Sequence, residues 1–415
     1  MLARIAAEIE TQRALLRTRA GRAVAGSLAA LALLTVIGLV SLWPGDDAPA
    51  LGNNLVISRG IVPAQVTAVT PMDCPVENRA GCARADLRID GGPDKGSESF
   101  LVQPADEAAP NLSAGDRIRV SPNTQSFGEL PLEPIPGEDP SQAPYGFVDF
   151  ERGTPLLLLA LGFLVLVAAL GRRVGVLSLL GVGVGLVLVT KFVVPAILAG
   201  SSPFAVALVG SFAAMFVTIV LVYGVGAKSL AALLGTAGSL LLTALLATAF
   251  TSAAHLTGRA SEDATLLQSL GEGRISLSGL VLAGILIAAL GVLNDVTIGQ
   301  ASTVLALRRA NPTQRFAQLH RAGAEVGRDH LGATVNTLVF AYAGASLPLL
   351  LIFSSQNIGF ADAIGRELVA TEVVATLVGS IGLVAAVPLT TATAALLAMR
   401  LPVALLPEHD HAHHH

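Results

Sequence analysis

From residue 153 onward, long apolar runs alternate with short polar gaps, and one further apolar run lies near the N-terminus, separated from the rest by a mostly polar stretch. An α-helix needs about 20 apolar residues to cross the ~30 Å hydrocarbon core of a bilayer. Windows of that kind predict eight spanning helices, over 23–43, 155–170, 174–200, 203–224, 229–255, from about Ser276, over 330–353, and over 368–399. The first window ends in LWPGDD without a small-residue cleavage site, and its apolar core is longer than a signal-peptide h-region. It is therefore expected to stay as an anchor, after a basic segment over 1–22.

The polar stretch has a different period. RGIVPAQVTAVT (59–70), ADLRIDG (85–91) and DRIRVSP (116–122) carry apolar residues near period two, bounded by Gly, Pro or Asp, and predict strands. They imply a small OB-like β-barrel over 44–130. The Pro-rich acidic segment that follows reads as a linker over 131–153, leading to a seven-helix membrane domain over 154–400 and a tail over 401–415. The only two cysteines, Cys74 and Cys82, lie in the insert. A loop-closing disulfide fits them in an oxidising compartment, two free thiols being the alternative, and too few ligands surround them for a metal site.

Composition excludes an ordinary soluble domain: 53% of residues are hydrophobic and only 13% charged. Lys and Arg collect on the cytoplasmic side of membranes. Arg4, Arg13, Arg17, Arg19 and Arg22 precede the first span, and an inside N-terminus also places Arg172, Arg173, Lys228, Arg308, Arg309, Arg315, Arg321, Arg328 and Arg400 inside. Both termini are thus expected to be cytoplasmic and the β domain extracytoplasmic. The insert is acidic on balance and nearly lacks aromatic residues, which argues against a nucleic-acid partner.

Candidate chemistry lies where polar groups interrupt the spans. Asn294 and Asp295 sit inside a continuous apolar run, and a carboxylate at the bilayer centre costs about 2.5–3.5 kcal/mol on insertion scales. On a helix, Gly291, Asn294, Asp295, Gly299 and Ser302 fall near one face, so Asp295 is expected to face protein or water. Gln300 follows in the same segment. Asp329, Asn336 and Thr337 in the next span and Glu372 in the last are the expected partners, at depths that mark a route, with Asp295 between Asp329 and Glu372. The oxygen-rich set Asp295, Asn336 and Glu372 would suit a small metal cation. Lys191 either snorkels to the interface, or serves as a counter-ion for Asp295 or Glu372 or as a positive group for an anionic substrate. Interhelical hydrogen bonding is the structural alternative for Asn336 and Thr337.

Pro195, Pro348 and Pro388 mark places where spanning helices are expected to break. The segment 308–328, with Phe316, Leu319 and Val326 among basic residues, reads as a short interfacial helix meeting anionic headgroups. The tail PEHDHAHHH is either a transition-metal tract or a tag remnant. No GxxxxGK[ST], HExxH or GxSxG is present, so no enzyme is expected. An intramembrane enzyme would need an acid pair such as Asp295 and Asp329.

Three segments, LNDVTIGQAS (293–302), GRDHLGATVNTLVFAYAGASLPLLLIF (327–353) and GSIGLVAAVPLTT (379–391), together resemble the YibE/F family of bacterial membrane proteins. DFERG (149–153), GRR (171–173) and VVPAILAG (193–200) extend the resemblance over about 58–399. It implies a multi-span protein of the bacterial cytoplasmic membrane with a transport role. The expected function is a secondary transporter or permease with a polar midplane site around Asp295; the alternative is a membrane scaffold or sensor whose β domain binds a partner. No cofactor is expected beyond a bound metal or a coupling cation or proton. The expected partners are the bilayer and a small ion or solute, with a homo-oligomer left open.

Overall fold

The computed structural model describes residues 12–45 except 15, 60–72, 81–104, 109–122, 144–260, 264, 266–268, 274–356 and 359–403. Cys74, the segment 123–143 and the tail from 404 onward lie outside them. The chain divides into two compact units, one of residues 50–166 and one of residues 1–49 with 167–415.

The smaller unit holds five antiparallel strands: β1 (Val62–Met72), β2 (Cys82–Ile89), β3 (Glu98–Pro104), β4 (Arg117–Pro122) and β5 (Tyr145–Phe150), in the order β3-β2-β1-β4-β5. Alternating residues of β1, β2 and β4 supply the core: Val62, Ala64, Val66, Ala85, Leu87, Ile89, Ile118 and Val120. This is the period-two pattern that predicted those strands. The expected closed barrel is corrected to an open sheet, because β3 and β5 remain edges without a ladder between them. They do lie near each other, and the Tyr145 hydroxyl donates to Asp94 Oδ2 at 2.8 Å across that gap. Two strands were not foreseen. β3 reads ESFLVQP, with little apolar alternation, and β5 falls in the stretch read as a linker. Cys82 is buried at the start of β2.

The larger unit is helical. Its elements are α1 (Arg19–Ser41), α2 (Gly153–Leu188, begun in the smaller unit), a π-helical turn (Val189–Val193), α3 (Val194–Leu198), α4 (Pro203–Tyr223) and α5 (Ala227–Ala253). They are followed by α6 (Leu277–Ala310), α7 (Phe316–Ala345), α8 (Leu347–Ser355), α9 (Phe360–Gly365) and α10 (Glu367–Ala398). Among the described residues six helices are long and apolar enough to span a membrane, or seven if the α7–α8 pair, bent by 57°, is one span. The expectation of eight differs because 153–198 forms one run of 46 residues. At 1.5 Å per residue that run would be about 69 Å long, more than twice the hydrocarbon thickness. It is not straight. Arg172 breaks it with φ 48° and ψ −130°, and the chain turns so sharply that a side chain on Gly175 would collide with the Val167 carbonyl.

Prolines act as their chemistry dictates. Pro195 has no N–H for the carbonyl of Lys191, and the helix widens into the π turn just before it. Pro348 sits at the 57° bend. Pro388, the third expected break, stays within a continuous α10. The expected short interfacial helix is also corrected. α6 runs to Ala310, and α7 continues from Phe316 to Ala345 without a breaker, so that segment is not a separate short helix but the end of α6, a turn and the first turns of α7.

The core lies where α4, α5, α6 and α10 meet, with α1 and α7 against them. Its polarity is inverted relative to a soluble bundle. Ser229, Thr236, Ser239, Thr243, Thr297, Gln300, Thr390 and Thr391 are buried, while Leu156–Leu159 and Leu33, Leu34, Ile37 and Val40 are exposed. Lipid is as apolar as Leu, so helices associate through small residues and hydrogen bonds rather than by hiding large side chains. The α5–α10 seam shows this in reciprocal form. A side chain on Gly235 would collide with Thr390, and one on Gly382 with Thr243.

Candidate functional site

Ser276 begins α6 as a cap, its hydroxyl accepting from Gly279 N at 3.1 Å, and the helix then runs unbroken for 34 residues. Val296, Thr297, Gln300, Ala301 and Val304 form its buried face. Thr297 shares a 2.6 Å hydrogen bond with Thr236 of α5. Gln300 Nε2 donates at 2.7 Å to the Gly323 carbonyl of α7 and at 2.7 Å to Thr391 Oγ1 of α10. Glycine is required beneath it: a Cβ on Gly327 would lie 2.8 Å from Gln300 Oε1 and 2.5 Å from Val387. Gln300 is therefore a three-helix clamp.

Asp295 is on the other side of α6, exposed together with Gly291 and Gly299, so of the two expected surroundings, protein or water, it does not face the packed protein core. The packing positions are 293, 296, 297, 300 and 304, and a helix cannot turn residue 295 the same way. Asp295 makes no hydrogen bond or ion pair among the described residues, and its electrostatic neighbour is Tyr223, the last residue of α4. Lys228 Nζ stands 4.2 Å over that tyrosine ring. Asn294 is half-buried, and its Oδ1 is enclosed without a hydrogen-bond donor. Two adjacent side chains thus present oxygen acceptors with nothing donated to them.

Depth follows from helix length. Asp295 is about 27 Å along α6 from Leu277, and the 21-residue α4 that ends at Tyr223 is about 32 Å long. Asp295 accordingly lies toward the basic end of the bundle rather than midway along it. α6 and α10 run in the same direction: Ala288 and Val292 face Ala375 and Gly379 across a cavity of about 10 Å³, and Gln300 meets Thr391 further down. From that register Glu372 is about 20 Å from Asp295 along the bundle axis. Glu372 is half-buried and neighbours Tyr342 of α7. The expected trio of Asp295, Asn336 and Glu372 is thus not brought together, and no three His, Cys, Asp or Glu side chains converge among the described residues.

Asn336, Thr337 and Asp329 project from the exposed side of α7. Thr337 Oγ1 is satisfied within its own helix by the Ala333 carbonyl at 3.0 Å. Asp329 follows Gly327 by two residues and so lies near the level of Gln300. Lys191 is exposed in the π turn, remote in sequence from these groups and without an ion pair to any of them among the described residues.

Sequence reasoning missed three features. Glu367, in the first turn of α10, accepts from Thr257 N, Thr257 Oγ1 and Gly258 N, tying the end of the α5 segment to α10. The Lys228–Tyr223 contact spans a turn that reads only as a polar gap. The hydroxyl-rich face of α5, with Ser229, Thr236 and Thr243 at spacings of seven, carried a legible signal of helix–helix contact.

Apolar helices with inverted polarity around a hydroxyl-lined seam define a polytopic α-helical membrane protein. Its family is specific: the YibE/F-like protein family matches residues 159–400, more than half of the chain, and the protein belongs to it. The match begins after the β domain, whereas the resemblance was expected from about residue 58. No curated protein and no solved structure matches the chain.

Proposed function

We propose that this protein is a secondary transporter or permease of the bacterial cytoplasmic membrane, with eight crossings, cytoplasmic termini and an extracytoplasmic β domain, and that Asp295 with Asn294 binds its coupling proton or small cation. One observation carries the reading. Among the described residues, a carboxylate without an ion-pair partner and an enclosed amide oxygen without a donor are adjacent on a long apolar helix. Two acceptor sites of this kind are stabilised by a proton or a cation. Asp295 lies toward the basic end of the bundle, so in this reading a bound ion would exchange with the cytoplasm. The expected midplane position is not retained, and no enzymatic role is proposed. The protein's own residues bind the ion; no other cofactor enters the reading.

Thermal unfolding of the detergent-purified protein across monovalent and divalent cations, anions and pH tests it. A ligand of the folded state raises the midpoint by mass action. The expected result is a selective shift with one cation or with acidification, absent in Asp295→Asn. An identical shift in the variant, or none with any ion while the variant melts like wild type, would sink the proposal and leave the scaffold reading. That second reading has its own support: among the described residues the backbones of β3 and β5 have no ladder partner on their outer side, which a partner strand could supply.

A further inference from the structure

Between the first turns of α7 and the last turns of α10 runs a groove of about 500 Å³, lined by Phe316, Ala317, His320, Arg321, Ala324 and Arg328 of α7 and by Ala392 of α10. Its volume lies within the range of small-molecule sites, roughly 300–1,000 Å³. Ala317, Arg321, Ala324 and Arg328 recur at spacings of four, three and four, so they share one stripe of the helix. Ala324 leaves a small floor between Arg321 and Arg328, whose α-carbons are about 10 Å apart along the axis. Neither Arg321 nor Arg328 forms an ion pair or hydrogen bond among the described residues. Glu325 and Asp329 lie on the same helix but do not line the groove, and neither forms an ion pair with Arg321 or Arg328 among the described residues. The His320 ring lies beside that of Phe316, tilted by 31° with centroids 5.9 Å apart.

Depth identifies the occupant. Gln300, which contacts Gly323 and Thr391, is about 34 Å along α6 from Leu277, just beyond the ~30 Å that hydrocarbon occupies. Ala392 follows Thr391, and Ala324 follows Gly323, so the groove sits at headgroup level. There its walls are fixed by the Gln300 clamp, and guanidinium groups match phosphate oxygens bidentately. We infer that this groove binds the phosphate of an anionic phospholipid, held between Arg321 and Arg328. The apolar wall of Ala317, Ala324 and Ala392 accommodates the glycerol portion, whose acyl chains continue into the bilayer along α7 and α10.

The full-length protein in neutral detergent would be unfolded thermally against increasing phosphatidylglycerol, phosphatidylcholine or inorganic phosphate. Phosphatidylglycerol should raise the midpoint in a saturable way, phosphatidylcholine and inorganic phosphate should not, and Arg321→Gln/Arg328→Gln should weaken the apparent affinity at least tenfold. Ala324→Trp, which fills the groove while keeping both charges, should weaken it similarly and serves if the double variant does not fold. An equal response to phosphatidylcholine, a response to inorganic phosphate alone, or undiminished phosphatidylglycerol binding in either folded variant would overturn the inference.

Discussion

Gln300 and Asp295 are five positions apart in one apolar run and have opposite fates. Gln300 turns inward and satisfies its amide N–H groups on two neighbouring helices, while Asp295 turns outward and has no partner among the described residues. Residue-level predictions follow the packing. Gly382→Ala places a methyl group against Thr243 Oγ1 and should cost about 1–3 kcal/mol, as overpacking does. Thr243→Ala removes that oxygen and should restore much of the loss. A double-mutant cycle read by thermal unfolding in detergent checks both, and additivity of the two changes would contradict the seam as described. The residue types at these sites were legible, since glycine, serine and threonine in spans signal close approach. Which glycine met which threonine was not, because that depends on the relative register of two helices far apart in sequence.

At the scale of elements, patterning succeeded where one face is buried and failed where edges or breaks decide. β1, β2 and β4 alternate because each has one face on the core, whereas β3 and β5 are edges whose pattern is weaker. Tyr145 ties β5 to the turn before β3. Burial, and then its hydrogen bond to Asp94, raises the Tyr145 hydroxyl above the ordinary tyrosine value of 10.0. The folded state therefore holds that proton more tightly than the unfolded chain does. Its contribution is complete below pH ~10 and is lost as pH rises through the folded value. Tyr145→Phe should cost the β domain about 0.5–1.5 kcal/mol and speed amide exchange in β5, and it should flatten the alkaline loss of protection. Unchanged exchange in β5 would show that the contact does not hold the edge. Among the helices, the break at Arg172 was not marked by any proline. The separate windows 155–170 and 174–200 part at this GRR, so the break itself was legible; what they did not show is that the chain turns there at a single arginine of positive φ rather than through a loop.

At the scale of the whole molecule, the inside-out polarity of the helical unit and the clustering of Lys and Arg in alternate gaps support one orientation. Asn311→Cys, between α6 and α7, and Arg259→Cys, between α5 and α6, lie in gaps that orientation assigns to opposite sides. In intact cells an impermeant maleimide should label the second and reach the first only after lysis. The reverse pattern would invert the topology and move the basic groove away from the cytoplasmic leaflet.

Hydrophobicity, charge bias and period are local properties, so the chain by itself determined a many-span membrane protein, its small β domain, three of that domain's strands, the likeness to the YibE/F family and the residues able to carry charge within spans. Contacts are not local. Only the tertiary structure decided that the sheet stays open, that Asp295 points away from the helix core toward Tyr223, that Glu372 lies about 20 Å from it along the axis, and that Arg321 and Arg328 share a groove. A helix offers every polar residue a direction only relative to its own axis; which direction is inside is set by the packing of its neighbours.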